Sequence, residues 1–141
     1  MKKTLFLSIM FIGLFVLSFS QTGTTPQGLE YKINGSGVEI TRYTGNATQW
    51  VIPAEIQGLP VVSIGAGAFY GCDILTSITI PSSVTSIGDG AFWNCSSLTS
   101  ITIPSSVISI GGYAFRGNSS LTNITLSHRT QVGNNAFPLG V

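Results

Sequence analysis

Cys72 and Cys95 are the only two cysteines in this chain of 141 residues, and they stand 23 residues apart. Each follows an Ala-Phe pair by the same interval, so the two thiols occupy equivalent places. Such a pair reads either as a disulfide between neighbouring units or as a ladder of small, buried, inert thiols. Side chains that run parallel often miss the torsion a disulfide needs, and we take the free-thiol reading. A structural zinc site wants four ligands, and two cysteines fall short. His128, the single histidine, reads as an exposed turn residue beside Arg129, with no serine and aspartate set around it to form a triad. Glu30, Glu39 and Glu55 show no paired spacing for acid–base work, so no enzymatic activity and no cofactor are expected. Asn-x-Ser/Thr triplets such as Asn46-Ala47-Thr48, Asn94-Cys95-Ser96 and Asn123-Ile124-Thr125 are what composition alone produces.

Two further sets are candidates for binding. Tyr70, Trp93 and Arg116 each follow a phenylalanine, and these residue types dominate interface hot spots. The plainer reading is a stripe covering an interior edge, with Arg116 over Trp93 as a cation–π pair. Ser77 and Thr79, Ser100 and Thr102, and Asn123 and Thr125 form a ladder of hydroxyls and amides able to hydrogen-bond a protein or a glycan. Its plainer reading is β-propensity and solubility.

What places these residues in register is a repeat. Ile64, Ala68, Phe69, Cys72, Leu75, Ile78, Ile80, Pro81 and Val84 recur 23 residues later as Ile87, Ala91, Phe92, Cys95, Leu98, Ile101, Ile103, Pro104 and Val107. They recur again as Ile110, Ala114, Phe115, Asn118, Leu121, Ile124 and Leu126. A repeat this strict predicts a mainly β stacked solenoid, each unit burying its apolar face against its neighbours. Within a unit, Ile78 and Ile80 should point inward and Ser77 and Thr79 outward. Pro81 ends that strand. Ser86-Ile87 makes a second extended piece, and Ala91 to Cys95 is long enough for one short helical turn.

The ends differ from the middle. Lys2, Lys3, an apolar run from Leu5 to Leu17, and the small residues Ser18 and Ser20 read as a signal peptide over residues 1–20. Its run is shorter than the roughly 20 apolar residues of a membrane span, so cleavage and export are expected, with no span in the mature chain. Residues 21–28 read as a flexible leader and 29–52 as an N-terminal β cap. In the cap, Asn34-Gly35 marks a hairpin turn between alternating runs. The solenoid takes 53–141. Trp50, Ile52 and Pro53 match Ile78, Ile80 and Pro81 as a disguised first unit, with five residues inserted around Gln57-Gly58-Leu59-Pro60. Past Leu126 the pattern decays. Residues 127–141 are expected to fold as a partial lid with Val132, Ala136 and Phe137 inward, over a C-terminal end open to self-association.

Charged residues are only 8% and the net charge is +1. Without Lys2 and Lys3, four basic residues face five acidic ones. No basic patch exists to follow a phosphate backbone, so nucleic acid is not an expected partner.

Leu75-x-x-Ile78-x-Ile80-Pro81-x-x-Val84, then Ile87-Gly88 and Ala91-Phe92-x-x-Cys95, resembles the 23-residue BspA-like leucine-rich repeat of bacterial surface proteins. The resemblance runs from about Trp50 to Phe137. It implies a leucine-rich-repeat solenoid, a right-handed superhelix, in a secreted or cell-surface protein. It further implies a protein-interaction role, since characterised relatives are adhesins and host-interaction proteins. A structural self-associating unit and a glycan-binding module stand as alternatives.

Overall fold

The computed structural model describes residues 21–140. The expected signal peptide, residues 1–20, lies outside them.

The N-terminal strands β1 (Gln21–Thr24), β2 (Leu29–Asn34) and β3 (Gly37–Tyr43) form an antiparallel ribbon. Leu29, Tyr31 and Ile33 face the core because strand side chains alternate. Two expectations change here. Gln21–Thr24, expected loose, pairs with β2 from Gln21↔Ile33 to Thr24↔Glu30. Its apolar content is nil, so main-chain bonding holds it. The β2–β3 hairpin exists, but Asn34 pairs with Gly37, so the turn is Gly35-Ser36 with positive φ (61°) only at Gly35.

β3 also opens the solenoid. It pairs in parallel with β6 (Leu59–Ile64), and the sheet continues through β8 (Ser86–Ile87), β10 (Ser109–Ile110) and β12 (Gln131–Val132). A second parallel sheet stacks β4 (Gln49–Val51), β7 (Ser77–Thr79), β9 (Ser100–Thr102) and β11 (Asn123–Thr125). Trp50 lies opposite Ile78, which is the register of the disguised first unit. β4 therefore belongs to the solenoid and not to an antiparallel cap. The chain thus winds between two sheets in about four turns. We number these coils by their first-sheet strand, β3, β6, β8 and β10. The five inserted residues make a hairpin between β5 (Glu55–Ile56) and β6, turning at Gln57 and Gly58, both at positive φ (55° and 76°).

Between the sheets lies the core. Ile78, Ile80, Ile101 and Ile103 are buried, as the alternation demands. A column of stacked rings runs along it, from Tyr43 to Phe69 (5.4 Å between centroids), Phe92 (5.0 Å), Phe115 (5.1 Å) and Phe137 (5.4 Å). Stacked coils come very close. A β-carbon at Gly88 would stand 2.6 Å from the Ala66 nitrogen, so only glycine fits after Ile87.

The short helical turns are absent: among the described residues there is no helix. The reason lies in the amides of residues 67–72. Those of Ala68, Tyr70 and Cys72 bond back three residues within the turn, while those of Gly67, Phe69 and Gly71 reach carbonyls of the next coil (Asp89, Ala91 and Trp93, 2.7–3.0 Å). A helix would draw all of them inward and unlink the coils.

The C-terminal residues continue the winding instead of lying across it. β12 stays in register with β10, Ala136 is buried and Phe137 completes the ring column. Val132, expected inward, is 45% exposed, because no further coil covers it among the described residues.

Candidate functional site

Each coil turns outward immediately after its buried phenylalanine, so the next side chain emerges on one edge of the stack. Tyr70 and Trp93 meet edge to face (centroids 6.0 Å apart, 68° between planes). The third member, Arg116, carries its guanidinium 5.8 Å from the Trp93 ring centroid. The expected cation–π pair is therefore formed.

A fourth residue joins them that the register of residues after phenylalanine missed. Tyr113 stacks on Trp93 (5.8 Å, 25°), and the Arg116 guanidinium lies 5.2 Å from its centroid. The Arg116 amide donates to the Tyr113 carbonyl (3.0 Å), and this tight turn brings both side chains to one spot. Tyr113 has a φ of 57°. The equivalent residues in the two preceding coils are Gly67 (63°) and Gly90 (58°). Glycine is what the turn itself asks for, and a tyrosine there costs on the order of 1–2 kcal/mol of backbone strain. The signal was present in the sequence as the column before each Ala-Phe pair, which reads Gly67, Gly90, Tyr113 and Asn135.

The edge is accessible: Tyr70 is 61% exposed and Tyr113 37%. The one ion pair among the described residues is Lys32–Glu39 (3.0 Å), so Arg116 is held by ring faces and not by a carboxylate. Beside it opens a hollow of about 400 Å³, lined by Ser119, Asn135, Phe137 and Leu139 among others. Cation, hydroxyl and amide next to apolar surface make this edge suited to a partner with both acidic and apolar groups.

The hydroxyl ladder is also as registered. Ser77, Ser100 and Asn123 lie directly opposite one another, as do Thr79, Thr102 and Thr125. All except half-buried Ser77 are exposed. Other hydroxyls of the repeat are structural: Thr99 donates to the Thr76 carbonyl (3.3 Å) and Thr85 to that of Val62 (3.2 Å), stapling coil to coil. A shallow trough of about 320 Å³ on the first sheet, not foreseen, is lined by Ser63, Ser86 and Ser109 with Glu39 at one end.

His128 is exposed, and no cluster of three or more metal-ligating side chains occurs among the described residues. Cys72 and Cys95 are both free thiols. Cys95 is buried and donates to the Phe69 carbonyl (3.1 Å), but Cys72, expected buried, is only partly so. Gly71 beside it is exposed.

Comparison with known proteins agrees with the coils. The model of the BspA type leucine rich repeat region matches residues 42–139 in six copies. A leucine-rich-repeat protein of T. pallidum is 38% identical, with a TM-score of 0.69 over 83% of this chain and 52% of its own. A leucine-rich cell surface protein of Faecalibacterium prausnitzii is 30% identical, with a TM-score of 0.70 over 83% of this chain and 40% of its own. One from Bacteroides ovatus is 36% identical, with a TM-score of 0.59 over 84% of this chain and 31% of its own. The chain thus spans about half the length of the first of these and less of the others. Among curated proteins no match is found.

Proposed function

Because this chain belongs to the BspA-type leucine-rich-repeat family, we propose that it is a surface-exposed or secreted module that binds another protein through the edge formed by Tyr70, Trp93, Tyr113 and Arg116. The observation that carries this reading is Tyr113. A large aromatic at a positive-φ position, where the other coils place Gly67, Gly90 and the more tolerant Asn135, points to a use outside the fold. That use is to extend an exposed aromatic surface around a cation, the chemistry of interface hot spots.

The cell-surface relative supports an extracellular setting. No helix among the described residues is long and apolar enough to cross a membrane. Adhesion to host or microbial surface proteins is the finer form of the reading. A glycan is the second form, favoured by the exposed Thr79, Thr102 and Thr125 row. Self-association is the third, favoured by β11 having a single strand neighbour among the described residues.

Biolayer interferometry of residues 21–141 against immobilised extracellular-matrix and plasma proteins, beside a glycan array, tests the reading. A protein ligand whose binding weakens at least 10-fold in Trp93→Ala and is unchanged in Thr102→Ala is expected. Binding lost in Thr102→Ala and kept in Trp93→Ala would move the site to the strand face.

A further inference from the structure

The two thiols are not equivalent, although the repeat makes their positions so. Cys72 in the β6 coil is partly buried against the core, and Cys95 in the β8 coil is fully buried. The backbones that carry them are tied together by hydrogen bonds from the Phe69 amide to Ala91 (2.7 Å) and from the Gly71 amide to Trp93 (2.8 Å). Coils in register this way stand roughly 5 Å apart, inside the range of about 4.4–6.8 Å between α-carbons that a disulfide spans. We propose that Cys72 and Cys95 are a nucleophile and a resolving thiol, which react with an external disulfide and close into a bond between adjacent coils.

The chemistry follows from the asymmetry. When the Cys95 S–H swings from the Phe69 carbonyl toward Cys72, it holds Cys72 below the ordinary thiol range, against burial and the nearby Asp73, which both raise it. Cys95 is pushed up, first by its interaction with Cys72 and then by burial. Cys72 therefore ionises first. Its thiolate attacks one sulfur of the external disulfide, a Cys72–sulfur bond forms, and the first leaving thiolate takes up the proton that Cys72 lost. Once Cys72 is a mixed disulfide it carries no charge, and the main cause holding Cys95 protonated is gone. Cys95 then loses its proton and attacks the Cys72 sulfur, and the second leaving thiolate is protonated in turn. Two protein thiols are oxidised and one disulfide is reduced to two thiols. Asn118 fills the same position in the β10 coil, so the pair ends there.

Oxidised glutathione is the probe. Residues 21–141 are incubated with it at neutral pH without denaturant, and intact mass and peptide maps are followed. The wild type is expected to lose two hydrogens and to give a Cys72–Cys95 linked peptide without accumulating an adduct. Cys95→Ala is expected to retain one glutathione on Cys72, and Cys72→Ala to stay unmodified over the same time. A lasting adduct on the wild type, equal reaction of Cys95 in Cys72→Ala, or no reaction of the folded wild type would each overturn the proposal. Should Cys95→Ala not fold, iodoacetamide on the folded wild type decides: Cys72 must react at least 10-fold faster than Cys95, and equal rates contradict the assignment.

Discussion

Phe92 lies between Phe69 and Phe115 with no exposed surface, one ring spacing from each. Phe92→Ala leaves a gap the neighbouring coils cannot close, and should cost about 3–5 kcal/mol of stability in denaturant unfolding. Thr79→Ala, on the exposed row, should cost less than about 0.5 kcal/mol. Equal losses would contradict the inward and outward alternation. That alternation was legible because a strict 23-residue repeat shows each inward position three times. Val132 was not, because burial at the last winding depends on a neighbour above it and not on its own register. The binding edge was half legible. Tyr70, Trp93 and Arg116 share one column, but Tyr113 enters from the column before the alanine, where a tyrosine among glycines is the sequence signal and its positive φ the structural one.

The turns that carry this edge are built from amides divided between their own coil and the next one, and the same division runs from Gly67 through Phe115. The sequence suggested a helical turn there because Ala-Phe-x-x-Cys is compatible with one. Only the stacking distance decides against it. β1 was hidden for a different reason: a polar strand held by main-chain bonds leaves no hydrophobic period to read. The stack also predicts graded protection. Among the described residues β7 and β9 each lie between two strands, while β11 and β12 each have one strand neighbour. In hydrogen exchange, amides from Asn123 to Phe137 should therefore exchange faster than those from Ser77 to Ile103. Uniform protection along all coils would contradict the end-to-end gradient.

As a whole the molecule is a stack whose every coil depends on its neighbours, with a ring column inside and a ridge of tyrosine, tryptophan and arginine along one edge. The column and the two sheets account for stability. At Tyr113 the ridge departs from the glycine of two other coils, and there binding and folding can be separated. Tyr113→Gly restores the residue that the turn has in two other coils, so strain relief offsets the lost ring contacts. Its unfolding free energy should stay within about 1 kcal/mol of wild type. The decisive measurement is the Kd of Tyr113→Gly for the protein ligand found by interferometry, with stability measured on the same sample. A loss of 10-fold or more in affinity at unchanged stability is the result the account predicts. Unchanged affinity in a stably folded Tyr113→Gly would show that the ridge is not the binding surface.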